Sequence, residues 1–120
     1  MPTSSFRTKV KKMEREPELI LVLTTFPETE KAREVAKILL ENRLAACCTI
    51  LPGTSLYWWD EKLNEDKEVV MMIKTHLSLY PELEKKLKEI HPYQIPEIIA
   101  LPIKAANQSY SDWIKEVTSG

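Results

Sequence analysis

The chain has 120 residues, of which 43% are hydrophobic, and a formal net charge of −1 at pH 7. This length suits one domain, and this apolar content excludes a wholly disordered chain. The lack of a basic excess argues against nucleic-acid binding, and no stretch is apolar over the ~20 residues that a transmembrane helix needs.

The N-terminal segment differs from the rest of the chain. Residues 1–17 are polar, carry more lysine and arginine than acidic side chains, and end at Pro17. They lack the apolar run of a secretory signal, and chain ends of this composition are usually loosely ordered. We predict a flexible basic tail over residues 1–17 and one folded domain over residues 18–120. A targeting or partner-binding role is the alternative for the tail.

The first part of the domain predicts a strand and then a helix. Residues 18–26, ELILVLTTF, are apolar and β-prone, and Pro27 ends this run. In residues 29–46 the apolar residues change to the three- and four-residue spacing of one helix face, with Thr29 as the predicted N-cap. The apolar residues of this face are Ala32, Val35, Ala36, Leu39, Leu40 and Leu44.

The middle of the chain predicts β-structure. Residues 47–51, CCTIL, are typical of a short strand that the following Pro-Gly pair ends. Residues 55–60 and 67–75 are typical of the two arms of a hairpin, joined by the loop EKLNED at 61–66.

The last part predicts a helix, a strand and a short terminal helix. Residues 77–90 have helical apolar spacing, and residues 97–103, EIIALPI, predict a strand. Residues 107–120 predict the terminal helix, in which Ser109 and Asp112 have the spacing of a capping box.

This order of elements predicts an α+β ferredoxin-like sandwich, βαββαβ, with an antiparallel sheet, a long hairpin and a short C-terminal helix. Two helices would cover one face of the sheet. However, residues 19–23 and 69–73 are apolar on both faces, whereas a half-covered sheet alternates apolar and polar residues. A large uncovered apolar face is a liability in a monomer, so we expect other copies of the chain to cover it.

Three large aromatic residues, Tyr57, Trp58 and Trp59, follow one another on a predicted hairpin arm. Successive side chains of a strand point to opposite faces, so the three rings cannot share one side. Because Tyr and Trp are enriched in interface anchors, we predict a subunit interface that includes Trp58, Trp59, Val70 and Met72. A core position for all three rings is the alternative.

The cysteines indicate a reducing compartment. Cys47 and Cys48 are adjacent, and a disulfide between neighbours is strained, so a disulfide-stapled secreted protein is not expected. We predict a cytoplasmic location. The cysteines and histidines show no CxxC and no ligand spacing on one helix face, so a closed metal site within one chain is not expected. A cysteine on a strand is often a small buried apolar residue without a chemical role, and this is the alternative for both Cys47 and Cys48.

The sequence carries no signature of catalysis. Gly53 and Gly120 are its two glycines, and they provide no glycine-rich loop for an oxyanion or a phosphate. Walker-type and dinucleotide-binding motifs are also absent. We therefore predict that the protein is not an enzyme.

Five sequence blocks resemble the CutA family of divalent-cation-tolerance proteins: RLAAC, ILPGTSLYWW, EVVMMIKT, HPYQIPEIIALPI and SYSDWI. The resemblance runs from Leu19 to Val117. It implies a ferredoxin-like fold related to the PII signalling proteins, a tight homotrimer and a cytoplasmic role in metal tolerance. Copper or another divalent cation is the ligand that the resemblance implies.

The chain departs from some copper-binding relatives. Such relatives have a cysteine near the position of Thr24 and two histidines before the Pro-Tyr pair, whereas this chain has Ile90 and His91 there. The family's cysteine in AAC matches Cys47. The turn after the aromatic residues also lacks the family's usual glycine and has Asp60-Glu61 instead.

These residues predict a site at the boundary between subunits. His91 and Cys47 are the candidate metal ligands, because imidazole and thiolate suit soft divalent or cuprous ions. A structural role is the alternative for His91, since a residue before proline is held extended.

A ligand pocket is predicted from four further residues, Tyr57, Lys74, Tyr93 and Glu97, which would combine aromatic walls with an ammonium and a carboxylate. A plain salt bridge between Lys74 and Glu97 is the alternative. Two functions remain open: a trimeric protein of divalent-cation tolerance, or a stable trimeric scaffold or PII-like small-ligand module without direct metal binding.

Overall fold

The computed structural model describes residues 18–119, so the predicted tail at 1–17 and Gly120 lie outside the described residues. The strands are β1 (Leu19–Phe26), β2 (Cys47–Trp59), β3 (Lys62–His76) and β4 (Ile99–Pro102). The helices are α1 (Thr29–Glu41), α2 (Tyr80–Ile90) and α3 (Gln108–Thr118), and a 3₁₀ turn (Leu77–Leu79) precedes α2. The strands form one antiparallel sheet in the order β2-β3-β1-β4, which confirms the predicted α+β class.

The core lies between one face of the sheet and helices α1 and α2. On β1 and β3 every second side chain points into it, as the period of two requires. Leu83 and Leu87 supply the fully buried positions of α2. The largest fully buried hydrophobic residues of this cluster are Phe26, Ile20, Leu39, Met71, Ile73, Leu83, Leu87, Val22 and Val35.

The ends of α1 differ from the prediction. Glu28 occupies the N-cap in an extended conformation, and Thr29 is the first helical residue, so the predicted Thr29 cap is wrong. The helix ends at Glu41 instead of continuing to residue 46. Arg43 follows in the left-handed region with φ 58°, which turns the chain toward β2.

The two predicted strands in residues 47–60 are one strand. β2 runs through Pro52 and Gly53 and pairs with β3 along its whole length. The prediction that the Pro-Gly pair ends the strand is wrong because β2 is an edge strand. Only alternate residues of an edge strand bond to the neighbouring strand, so a proline without an N–H is tolerated there.

The predicted six-residue loop at 61–66 is also wrong, since all but its first residue belong to β3. The hairpin turns at Asp60 and Glu61, with φ values of 52° and 58°. Positive φ at both central residues is the geometry of a type I′ turn, which normally uses Asn-Gly because other residues are strained there. The register is fixed instead by the long β2–β3 ladder.

A glycine at the second turn position should therefore stabilise the protein. We expect Glu61→Gly to raise the free energy of unfolding by about 1 kcal/mol, because a non-glycine residue in the left-handed region costs roughly that much. Chemical denaturation at fixed protein concentration measures the change. Glu65→Gly, in the strand itself, is the matched control and should destabilise. An equal loss in both variants would contradict the argument.

The last elements are shorter than predicted. β4 covers four residues, and the register would place Pro96, which has no N–H to donate, opposite Phe26. The capping box of Ser109 and Asp112 is wrong: Asn107 is the N-cap, and Ser109 lies inside the helix. Asp112 instead accepts a hydrogen bond from Gln108, 2.8 Å long.

The second face of the sheet is only partly covered in one chain. The register places Leu21, Leu23, Val70 and Met72 on this face, and all four are half-buried. Leu51, Ile99 and Leu101 share this face and are exposed. Helix α3 packs against β3. Within residues 18–119 no helix has both the length and the apolar content to cross a bilayer.

Candidate ligand site

Hydrogen bonds and a ring stack made by His91 hold the segment after α2 in place. Its backbone N–H caps the helix by donating to Leu87 O at 2.9 Å. Its ring stacks on Phe26 with the ring centres 4.6 Å apart. Nδ1 accepts a hydrogen bond from the Tyr93 N–H at 3.1 Å, and Nε2 lies 3.1 Å from Thr24 Oγ1. Since Nδ1 is an acceptor, the neutral ring carries its proton on Nε2, and both nitrogens are engaged.

Burial lowers the pKa of His91, and Lys31 lowers it further. The backbone bond to Thr25 and the nearby Glu68 oppose this effect without cancelling it. The ring is therefore neutral at pH 7, the state in which imidazole can bind a metal. A metal at either nitrogen would replace one of the two hydrogen bonds.

Two tyrosines contact two carboxylates near the base of the β2–β3 hairpin. The Tyr93 hydroxyl donates to Glu68 Oε2 at 2.6 Å, and the Tyr57 hydroxyl donates to Asp66. The pKa of Tyr93 is raised by burial, by the Glu68 bond and by the charges of Glu68 and Asp66; Tyr57 also raises it. The pKa of Tyr57 is raised mainly by the Asp66 bond. The structure thus brings Tyr57 and Tyr93 to one anionic, aromatic region.

Of the other two predicted pocket residues, Lys74 lies away from this region within one chain. Lys74 is six residues from Glu68 on β3, which is roughly 20 Å along a strand. Its Nζ is 3.5 Å from Thr49 Oγ1. Glu97 is exposed, and within residues 18–119 it forms no ion pair with Lys74. Lys74 can line one pocket with the two tyrosines only if subunits combine them.

The two cysteines have different surroundings. Cys48 packs against the core, and burial raises the pKa of its thiol to about 12, with a smaller contribution from Cys47. Cys47 is half-buried, with Sγ 3.9 Å from Thr49 Oγ1. Both are free thiols. Both side chains are half-buried, and Cys48 is the one that packs against the core.

The candidate metal ligands do not meet within one chain. Cys47 lies opposite Lys74 on the second face of the sheet, whereas Thr24, which contacts the His91 ring, points into the core. Across residues 18–119 no three His, Cys, Asp or Glu side chains come together as a metal-binding group. Any site using both His91 and Cys47 requires a second chain.

Sequence reasoning missed Asp66 and Glu68 as partners of the tyrosines. The available signal was the alternation in NEDKE at 64–68, which puts Asn64, Asp66 and Glu68 on one face of a strand. The predicted loop at 61–66 covers most of this stretch, and a loop carries no such alternation. Phe26 and Thr24 were missed because their contacts with His91 join positions 65 and more residues apart.

The predicted interface residues divide between two regions. Trp58 and Trp59 lie at the far end of the hairpin, where no other strand within residues 18–119 pairs, and point to opposite faces. Trp58 is 74% exposed. Val70 and Met72 are half-buried on the second face of the sheet.

Comparison with known proteins gives consistent matches. The family model described as "CutA1 divalent ion tolerance protein" matches residues 20–117. The divalent-cation tolerance protein CutA of Thermus thermophilus is 48% identical over 99 residues, covering 82% of this chain and 96% of the relative. The crystal structure of CutA1 from Pyrococcus horikoshii has a TM-score of 0.80 at 42% identity, with 82% of this chain and 96% of that chain covered. The periplasmic divalent cation tolerance protein CutA from Archaeoglobus fulgidus has a TM-score of 0.82 at 36% identity, with 83% and 98% covered. These names denote tolerance of divalent cations rather than a reaction.

Proposed function

Since the chain belongs to the CutA1 family of divalent ion tolerance proteins, we propose that it is a trimeric, cytoplasmic protein of divalent-cation tolerance. Its ligand sites lie in the clefts between subunits, and copper or another divalent cation is the ligand. The sheet order β2-β3-β1-β4, with α1 and α2 against one face, supports a ferredoxin-like sandwich as the subunit fold.

The proposed assembly rests on the exposure of apolar side chains in the β2–β3 hairpin. In one chain Leu56 is 62%, Trp58 74% and Leu63 64% exposed, and all three point to the same face of the two-stranded ribbon. A two-stranded ribbon without further support is marginally stable in water, and an apolar patch of this kind usually contacts a partner. Neighbouring copies of the chain would cover it and the second face together. A ring of such contacts closes into a cyclic oligomer.

The metal site is proposed at a subunit boundary. Cys47 supplies a thiol that can bind as thiolate, and His91 supplies a neutral imidazole. The two lie on opposite faces of their own sheet, so the proposed site joins Cys47 of one subunit with His91 of the next. A bound cation would add positive charge at the subunit boundary. The hydrogen bonds of His91 set the orientation of its ring.

Calorimetric titration with copper and with zinc tests direct metal binding. We expect the parent protein to bind, and His91→Ala and Cys47→Ala each to weaken binding by about tenfold or more, which corresponds to ~1.4 kcal/mol. Cys48→Ala is the matched control, since the Cys48 side chain packs against the core, and it should leave the affinity unchanged. If neither ion binds the parent above background, direct metal sensing is rejected for this chain.

A second function rests on a specific observation. Both ring nitrogens of His91 already have hydrogen-bond partners, and the tyrosine–carboxylate region contains no metal-binding group within residues 18–119. This favours a stable trimeric scaffold, or a PII-like module for a small ligand, that acts without holding metal. A trimer that binds neither copper nor zinc would support this alternative.

The cytoplasmic location is supported by the two free thiols, which suit a reducing compartment. The word "periplasmic" in the name of the Archaeoglobus relative describes the location of that protein.

A further inference from the structure

The tip of the β2–β3 hairpin is a tight turn made by residues that do not favour it. Trp59 pairs with Lys62, so Asp60 and Glu61 are the two residues of the turn. Both have positive φ, 52° and 58°, although neither is glycine. A residue with a Cβ is strained in this left-handed region. The turn therefore needs support from the contacts around it.

The sheet does not provide that support at the tip. β1 pairs with β3 only as far as Val69, the partner of Phe26. Beyond this pair, residues 53–59 and 62–68 form a two-stranded ribbon with which no other strand within residues 18–119 pairs. Such a ribbon is marginally stable in water. The long ladder fixes which residues face each other, but it does not by itself keep the end of the ribbon closed.

The side chain of Asn64 spans the turn. Its Nδ2 donates to Trp59 O at 3.2 Å and to Lys62 O at 2.9 Å. Both partners are carbonyl oxygens, which can only accept, so it is the NH2 end of the amide that faces them, with one N–H for each acceptor. One acceptor precedes the turn and the other follows it. A single side chain thus joins the two strand ends across Asp60 and Glu61.

Asn64 lies on the opposite face of the ribbon from the hairpin patch, the exposed apolar side chains of Leu56, Trp58 and Leu63. Asn64 pairs with Tyr57, whereas Leu63 pairs with Trp58, and successive side chains of a strand alternate between faces. Asn64 is half-buried, in contrast to the exposed patch. Any effect of the Asn64 side chain on the hairpin patch must therefore pass through the backbone of the turn.

We propose that Asn64 is a positioning residue that clamps the strained turn and so holds the hairpin patch in the shape that a second chain binds. The clamp depends on this chain alone, whereas its use in assembly rests on the proposed trimer. With the clamp, the strand ends stay paired although the turn lacks glycine. Without it, Asp60 and Glu61 relax to negative φ, and turns of that kind splay the flanking strands, here at the Trp58–Leu63 pair.

Nuclear magnetic resonance on the intact protein tests the clamp. The one-bond coupling between Cα and its proton reports the sign of φ at Asp60 and Glu61. We expect positive φ in the parent and its loss in Asn64→Ala. Asn64→Asp keeps the shape of the side chain but has only acceptor oxygens at neutral pH, so it should lose positive φ as well. Ser55→Ala is the matched control, because Ser55 lies on the same face of the ribbon away from the turn, and it should change nothing.

Sedimentation velocity over a range of protein concentrations tests the role of the clamp in assembly. We expect Asn64→Ala to weaken association by about fivefold or more, the effect of losing one net hydrogen bond. Adding Glu61→Gly should restore association, because glycine adopts positive φ without a clamp. A side chain that merely contacted the partner chain would not be rescued by a glycine in the turn.

The two measurements can fail separately. Positive φ at Asp60 and Glu61 in both Asn64 variants would reject the clamp, whether or not the chain assembles. Loss of positive φ with parent-like association, or weakened association that Glu61→Gly does not restore, would reject the role in assembly. A parent that sediments as a single chain would reject the proposed trimer and the assembly role with it, and the couplings would still decide the clamp.

Discussion

Replacing Trp58 with serine is expected to shift the protein from its assembled form toward single chains. Trp58 is mostly exposed on the part of the hairpin that no third strand among the described residues pairs, so removing its ring costs an isolated chain little. In an assembly the same ring would be an interface anchor, whose truncation typically costs about 2 kcal/mol or more. That cost corresponds to roughly thirtyfold weaker association for each interface that the ring joins.

Sedimentation velocity over a range of protein concentrations measures this shift. Trp113→Ser is the matched control, because Trp113 is also a large exposed aromatic residue but lies on α3, away from the hairpin. It should associate as the parent does. If Trp58→Ser associates like the parent, the hairpin is not the main interface. A parent that sediments as a folded single chain at micromolar concentration would reject the assembly itself.

Replacing Phe26 with alanine is expected to lower the free energy of unfolding by about 3–5 kcal/mol. Phe26 is fully buried at the end of β1, opposite Val69, and the His91 ring stacks on it. The substitution removes a large apolar side chain and leaves a cavity that the paired strands cannot close. It also removes the support that holds the His91 ring against Thr24.

Denaturant unfolding at fixed protein concentration measures this loss, since the stability of an oligomer depends on concentration. Phe26→Leu is the matched control and should cost less than about 1.5 kcal/mol, because it keeps most of the volume. His91 provides a second measurement: in Phe26→Ala its pKa should rise toward the ordinary value as water reaches the ring. A Phe26→Ala variant as stable as the parent would show that the Phe26 ring contributes little to the core.

The elements with a clear period were predicted well. The apolar run LILVLTTF predicts β1, and the three- and four-residue spacing of apolar residues after it predicts α1. Both elements are confirmed, although α1 ends earlier than predicted. The mistakes occur where the local signal and the tertiary setting disagree. Pro52-Gly53 is locally a strand breaker, but an edge position tolerates it, and Asp60-Glu61 forms a tight turn without the usual glycine.

The candidate site was predicted less completely. Tyr57 and Tyr93 do approach the same region, although 36 positions separate them in the chain. Their partners Asp66 and Glu68 were not identified, because the pairing depends on the register of β2 with β3. The stacking of His91 on Phe26 and its contact with Thr24 depend on how the segment after α2 returns to β1.

Residue types and their periodicity along the chain were enough to predict the α+β class and the two-faced apolar strands, and the family was predicted from the resemblance of five sequence blocks. The folded chain was needed to place the cysteine and histidine candidates on opposite faces of the sheet and to show that the hairpin is one unbroken ribbon. Those relations depend on strand register and on packing between distant segments, which local patterns do not encode.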